Sequence, residues 1–146
     1  MILVDANLLV YAVDSDSLRH RPARRWLEET LSGSSPVGLP WIVLLAFLRV
    51  TTRTGILRKP LRPERALGYV DSWLAQPYVS AVGPGPGHWA VLRNLLRATG
   101  LAGNLTSDAH LAALALERGA PVYSTDHDFR RFPGVEHVDP LAVLKT

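Results

Sequence analysis

The chain has 146 residues, of which 47% are hydrophobic and 20% are charged, and its net charge is +3. This length predicts one domain covering residues 1–146, and the composition excludes a disordered chain. The absence of cysteine excludes disulfides, cysteine-ligated zinc and a cysteine nucleophile. All but two of the 16 basic residues are arginine, which suits phosphate binding but is equally expected from a GC-rich genome.

The first five residues form a short apolar run that ends at Asp5, which is typical of a buried strand. An acid at this place, with no long apolar stretch after it, argues against an export signal, so we expect a cytoplasmic protein. No apolar run approaches the roughly 20 residues that cross a bilayer, so no membrane association is expected.

Helical spacing of apolar residues and flanking proline and glycine residues predict further elements in chain order. The predicted helices cover residues 23–31, 41–53, 63–76, 88–99 and 106–118. We expect Thr106 or Ser107 to cap the last of these helices. The other predicted strands cover residues 37–39, 79–82, 121–125 and 135–138. Strands that alternate with helices predict an α/β fold, with a mainly parallel sheet and helices on both faces.

Three aspartates are expected to meet at one edge of this sheet. Asp5 and Asp126 each end a predicted strand, and Asp108 lies in the first turn of the helix before the second of those strands. Ligands bind at this edge in parallel sheets, where the strand order reverses. Taken singly, each acid is explained as well by a helix cap, by complementing a helix dipole or by an Asx turn.

Together, however, three carboxylates repel one another unless a cation or a proton intervenes. Carboxylate oxygens suit Mg²⁺ or Mn²⁺, which polarise phosphoryl oxygens and activate water for attack on a phosphodiester. The pattern therefore favours a metal-dependent phosphodiesterase.

Polar neighbours of these acids are expected to support the site. Asn7 can orient a ligand or a water, and Ser124 or Thr125 can donate hydrogen bonds to the carboxylates. Asp128 is expected either to reach the metal through water or to cap the segment that follows it.

The histidines are not expected to form a competing site. We expect isolated side chains at three of them, namely His20, His88 and His137. His110, two positions after Asp108, is expected to point to another face of its helix. His127 should project away from the aspartates on either side of it.

Three segments carry a resemblance to a known family: residues 2–7 (ILVDAN), 105–115 (LTSDAHLAALA) and 122–129 (VYSTDHDF). The chain resembles PIN domains of the VapC toxin type over nearly its whole length. The resemblance implies a PIN-like three-layer fold and a Mg²⁺- or Mn²⁺-dependent endoribonuclease whose metal-binding catalytic residues are Asp5, Asp108 and Asp126. It further implies a homodimer, a VapB-like antitoxin whose C-terminal segment blocks the site, and structured RNA such as tRNA or rRNA as substrate.

One position departs from the family pattern. Family members usually carry a glutamate on the helix after the second strand, and Ala46 stands there in this chain. The number of bound ions therefore stays open. On the same predicted helix, Arg49 and Arg53 are four residues apart, so we expect them to share one face and to bind the RNA backbone.

Other classes of protein fit the sequence less well than this resemblance. A haloacid-dehalogenase-like phosphatase needs a second aspartate where Asn7 stands and a catalytic lysine, and neither Lys59 nor Lys145 has a suitable context. A receiver domain needs an acidic pair and a later lysine after a strand, and this chain lacks both. The remaining alternative is a PIN-fold protein that has lost the glutamate and acts only by binding RNA or its partner.

Overall fold

The fold is built on a five-stranded parallel sheet, seen in a computed structural model that describes residues 1–100 and 103–142. The strand order is β3-β2-β1-β4-β5, and every neighbouring pair is parallel. The strands are β1 (Ile2–Val4), β2 (Val37–Pro40), β3 (Val79–Val82), β4 (Val122–Tyr123) and β5 (His137–Val138). The order runs outward from β1 on both sides, so it reverses between β1 and β4. Ligand sites of parallel sheets form at such a reversal.

Six α-helices lie in the described part of the chain. They are α1 (Ala6–Val13), α2 (His20–Leu31), α3 (Trp41–Thr52), α4 (Pro63–Leu74), α5 (His88–Thr99) and α6 (Thr106–Arg118). The α/β architecture with a parallel sheet is as predicted. None of the helices within the described residues has the length and apolar character that crossing a membrane requires.

The core lies between the sheet and the helices. Leu3, Leu39 and Val122 from the central strands are fully buried. Gly38 in β2 leaves room for Leu3, because a Cβ at Gly38 would lie 2.6 Å from Leu3 Cδ2. The buried ring of Phe47 on α3 packs edge-on against Trp73 of α4, with centroids 4.8 Å apart.

The sequence indicated helix α1 only through Asp5, as a possible helix cap. Most of its residues are apolar, so the segment shows little of the alternation between faces that marks a surface helix. Leu8, Leu9 and Ala12 are its buried residues. The helix matters for function because it starts directly after Asp5.

The last two strands are shorter than predicted. Residues 121–125 and 135–138 were expected to be strands, but β4 and β5 have two residues each. After Ser124 the backbone leaves the sheet and bonds to side chains. The Asp126 N–H donates to Ser124 Oγ at 2.9 Å, and the Asp128 N–H donates to Asp126 Oδ1 at 2.9 Å. These turns end the strand and set the aspartates at the sheet edge.

The predicted caps of α6 are wrong. The helix begins at Thr106 itself, and Leu105 occupies the cap position with no side-chain hydrogen bond. A 3-10 turn at Gly103–Leu105 leads directly into α6, and Leu105 already has helix-like backbone angles (φ −89°, ψ −5°). The chain thus enters α6 already turning, and Thr106 and Ser107 lie inside the first turn.

Arg49 and Arg53 lie one turn apart at the end of α3, because the Arg53 N–H still donates to the Arg49 carbonyl at 3.2 Å. Helix α3 ends at Thr52, and Arg53 is extended (φ −79°, ψ 135°). The hydroxyls of Thr51 and Thr52 donate to the carbonyls of Phe47 and Leu48, at 2.7 and 2.6 Å. These side-chain bonds run to carbonyls one turn earlier within α3, and the backbone becomes extended after them at Arg53.

Candidate metal centre at the carboxyl edge of the sheet

Asp5 lies at the point where β1 passes into α1 and is held by three hydrogen bonds. Its Oδ1 accepts from the Ala6 N–H at 2.7 Å, and its Oδ2 accepts from Ser124 Oγ at 2.7 Å and Asn7 Nδ2 at 3.4 Å. Burial raises the pKa of this carboxyl, the hydrogen bonds from Ser124 and Ala6 oppose that rise, and the charge of Asp126 adds to it. Asp5 is thus both a helix cap and a half-buried acid at the reversal point.

Ser124 joins the two loops that follow β1 and β4. Its side chain is fully buried, and its hydroxyl donates to Asp5 while accepting from Asn7 Nδ2 at 3.1 Å and from the Asp126 N–H at 2.9 Å. Of the two residues expected to support the carboxylates, Ser124 does so through its side chain. Thr125 contributes its backbone N–H, which donates to Asn7 Oδ1 at 3.4 Å.

A cluster of three acids lies beside Asp5. One carboxylate oxygen from each of Asp108, Asp126 and Asp128 lies within 4.8 Å of the other two. Within residues 1–100 and 103–142, this is the one set of three or more acids or histidines that meets in this way. Asp5 is outside that set. Asp128, expected to act through water or as a cap, belongs to this set together with Asp108 and Asp126.

The charges of these acids act on one another. The pKa of Asp108 is raised to about 6, first by burial and then by the negative charges of Asp5, Asp126 and Asp128. Four carboxylates therefore share this edge of the sheet, where the sequence indicated three and left the fourth open. The sequence signal for the fourth carboxylate, Asp128, was its position two residues after Asp126, because a turn there brings both acids to one side.

The cluster fits a divalent cation. Mg²⁺ binds oxygens at roughly 2.0–2.1 Å, so ligands on opposite sides of one ion are about 4 Å apart. The carboxylate oxygens of the cluster are already at comparable separations. A bound cation also offsets the repulsion that raises the pKa of Asp108. The residues present are therefore suited to hold Mg²⁺ or Mn²⁺.

All three histidines expected to be isolated are in fact hydrogen-bonded, two of them to partners far away in the sequence. His88 Nδ1 lies 2.6 Å from Glu117 Oε2, and His88 Nε2 lies 2.9 Å from His110 Nδ1. His137 Nε2 lies 2.8 Å from the Ser124 carbonyl oxygen. The expectation failed because residues distant in the sequence supply these partners.

Each of the other three histidines also has a hydrogen-bond partner. His20, the third one expected to be isolated, bonds through Nδ1 to the Tyr11 carbonyl at 2.9 Å. His110 points away from the acids, toward α5, as predicted. His127 bonds to Asp139 Oδ2 at 3.0 Å rather than to the aspartates beside it in the sequence, also as predicted.

Ala46 and the two arginines lie on or just after α3. Helix α3 packs against α1, the helix that Asp5 caps. Ala46 is half-buried between exposed Leu45 and buried Phe47, so it faces neither open solvent nor the centre of the core. Arg49 and Arg53 are exposed. Their role toward RNA stays a prediction.

Comparison with known proteins places this architecture in a family. The PIN domain pattern matches residues 2–135. Ribonuclease VapC37 of Mycobacterium tuberculosis is 46% identical over 144 residues, which cover 99% of this chain and all of that protein. The chain belongs to the PIN domain family, and its resemblance to the VapC group is confirmed.

Solved structures share the fold. VapBC2 from Rickettsia felis, determined with a DNA fragment from its promoter, superposes with a TM-score of 0.70 at 18% identity, covering 94% of this chain and 98% of that one. Mycobacterium tuberculosis VapC20, described as a toxin that cleaves the sarcin–ricin loop, gives a TM-score of 0.66 at 17% identity, covering 89% and 93%. The predicted PIN-like fold is confirmed by these superpositions.

Proposed function

We propose that this chain is a Mg²⁺- or Mn²⁺-dependent endoribonuclease that acts as the toxin of a VapBC toxin–antitoxin pair. The observation that carries the proposal is the cluster of Asp108, Asp126 and Asp128, with Asp5 beside it, at the reversal point of the sheet. The 46% identical relative is named a ribonuclease, which supports the same activity here.

The residues have distinct roles in this proposal. The converging oxygens come from Asp108, Asp126 and Asp128, and Asp5 adds a fourth negative charge beside them. A divalent cation bound there supplies Lewis acidity toward a phosphodiester oxygen and lowers the pKa of a bound water. Ser124 and Asn7 fix the Asp5 carboxylate, and the Thr125 N–H holds Asn7.

The proposed substrate is a structured RNA of the tRNA or rRNA class. The structurally similar VapC20 is described as cleaving the sarcin–ricin loop, which is the basis for including rRNA. Exposed arginines can bind phosphates in such a substrate, and Arg49 and Arg53 remain the proposed backbone contacts.

The proposed partner is a VapB-like antitoxin, as in the VapBC2 structure. A groove of about 280 Å³ lies between α2 and α4, with Leu27, Tyr69 and Trp73 among its lining residues. We assign this groove to the antitoxin. We assign the homodimer contact to the exposed Trp41 and Leu45, one turn apart on α3 and 54% and 61% exposed. The proposed place of action is the cytoplasm.

The second candidate function is RNA or partner binding without catalysis. The observation that favours it is Ala46, which removes the acid that the family usually carries on this helix. The four carboxylates at the sheet edge favour catalysis, because folding does not require acids to gather there.

The test is cleavage by the purified chain of tRNA and of a synthetic rRNA hairpin, with millimolar Mn²⁺ or Mg²⁺ and with EDTA. The proposal predicts discrete products that appear with metal and vanish with EDTA. RNA that is bound equally in both buffers and left intact would support the binding-only candidate instead.

A further inference from the structure

The backbone hydrogen bonds between β4 and β5 stop one bond short of the next position in the parallel ladder. The Val122 N–H donates to the Glu136 carbonyl at 2.8 Å, and the Ser124 N–H donates to the Val138 carbonyl at 3.0 Å. In a parallel ladder, the next bond would run from the N–H two residues after Val138 to the Ser124 carbonyl. That residue is Pro140, which has no N–H.

The side chain of His137 supplies the missing donor. Its Nε2 lies 2.8 Å from the Ser124 carbonyl oxygen. Arg130 Nε donates to Nδ1 of the same ring at 3.3 Å, so Nδ1 is the acceptor and the ring proton is on Nε2. His137 therefore donates to Ser124, and Arg130 selects the tautomer that can do so.

The hydrogen bond from His137 to Ser124 matters because the Ser124 hydroxyl contacts three groups at the carboxylate site. Ser124 is fully buried, and its hydroxyl contacts Asp5, Asn7 and the Asp126 N–H. Its backbone N–H and carbonyl are both bound from β5, the first by the Val138 carbonyl and the second by the His137 ring. Loss of the His137 ring would remove one of the two contacts between the Ser124 backbone and β5. The buried Ser124 carbonyl would then have no donor.

We propose that His137 is a positioning residue for the carboxylate site: it completes the β4–β5 pairing at Ser124 and so fixes the hydroxyl that orients Asp5 and the loop at Asp126. The inference rests on the proposed metal-dependent function. Residues that orient metal ligands in this way commonly change metal affinity or activity by about 10–100-fold when lost.

The test compares four variants by calorimetric titration with Mn²⁺ alone, melting temperature in EDTA, and kcat and KM for RNA cleavage. His137→Phe should weaken Mn²⁺ binding about tenfold or more and lower kcat with little change in KM. His137→Gln places an amide N–H near the position of Nε2 and should stay close to the parent. His137→Asn is one methylene shorter and should resemble His137→Phe.

The double variant His137→Phe with Pro140→Ala is the sharpest arm, since it returns a backbone N–H to the ladder position and should recover part of the Mn²⁺ affinity. Parent-like Mn²⁺ binding by folded His137→Phe would overturn the inference. If that variant does not fold, equal Mn²⁺ affinities of the Gln and Asn variants would overturn it. A parent that cleaves no RNA, with the variants ordered in Mn²⁺ affinity as expected, would overturn the proposed ribonuclease alone.

Discussion

The hydroxyl of Ser124 donates a 2.7 Å hydrogen bond to Oδ2 of Asp5, although 119 positions separate the two residues in the sequence. The bond crosses from the end of β4 to the end of β1, where the strand order reverses. Because the same hydroxyl also accepts from the Asp126 N–H, it links Asp5 to the loop that carries two members of the acidic cluster.

Ser124→Ala should therefore lower both stability and metal affinity. The substitution leaves the Asp126 N–H without its acceptor and Asn7 Nδ2 with only the longer bond to Asp5, which costs about 1–3 kcal/mol in the free energy of unfolding. Urea unfolding and Mn²⁺ calorimetry measure the two effects. Ser80→Ala, at an exposed position of β3, is the matched control, and equal behaviour of the two variants would contradict the role of Ser124.

Asp108→Asn should stabilise the protein in EDTA and remove its stabilisation by Mn²⁺. The parent pays for the burial of this carboxyl and for its repulsion from three neighbours, which together raise its pKa to about 6. With allowance for solvent screening of a half-buried group, we expect a gain of about 1 kcal/mol. Thermal melts measure it, with exposed Asp71→Asn as the control.

The gain should also depend on pH. The folded parent binds a proton at Asp108 more tightly than the unfolded chain, whose ordinary pKa is 3.8, so protonated Asp108 favours the folded state. That contribution is complete below about pH 4 and is lost as the pH rises through about 6. The advantage of Asp108→Asn in EDTA is therefore full above pH 6 and shrinks toward pH 4. An advantage that grows on acidification would contradict this assignment.

Ala46→Glu should restore the acid that the family usually carries. We expect the parent to need millimolar metal, to prefer Mn²⁺ over Mg²⁺ and to show one site by calorimetry. The variant should bind Mn²⁺ more tightly and cleave RNA at lower metal concentrations. Ala90→Glu, at an exposed position of α5, is the control. An Ala46→Glu protein that melts much earlier and gains no affinity would show that Ala46 is not the vacated ligand position.

Arg49→Ala and Arg53→Ala should each weaken RNA binding for all sequences and lower the slope of log affinity against log salt by about one unit. Both arginines are exposed and lie one turn apart at the end of α3, where the Arg53 N–H donates to the Arg49 carbonyl. Exposed Arg93→Ala on α5 is the control for a general change in charge. Unchanged slopes in both variants would move the RNA path elsewhere, with Arg130 and Arg131 next in line.

Much of the fold was predictable, because the apolar patterns are local properties of the sequence. The strands ending at Asp5 and near Asp126 were recognised from such patterns, and the parallel topology followed from their alternation with helices. The places where prediction failed depend on long-range contacts. His137 was assigned no partner because the Ser124 carbonyl that it binds is set by the register of β4 and β5.

The type of site, a group of acids at the sheet edge, was predictable from the sequence, but the full set of its residues was not. Asp108 and Asp126 stood out because each lies next to a predicted element boundary. Asp128 does not, and its approach to the others depends on the turn closed by its N–H and Asp126 Oδ1.

The most direct test of the central claim is the rate of RNA cleavage by Asp126→Asn, compared with the parent and with Asp71→Asn, at saturating Mn²⁺. Asp126 belongs to the acidic cluster, and Asp71 is an exposed acid on α4. We predict that the parent and Asp71→Asn cleave equally and that Asp126→Asn gives no metal-dependent product while still binding RNA. Cleavage by Asp126→Asn at the parental rate would contradict the assignment of this cluster as the nuclease site.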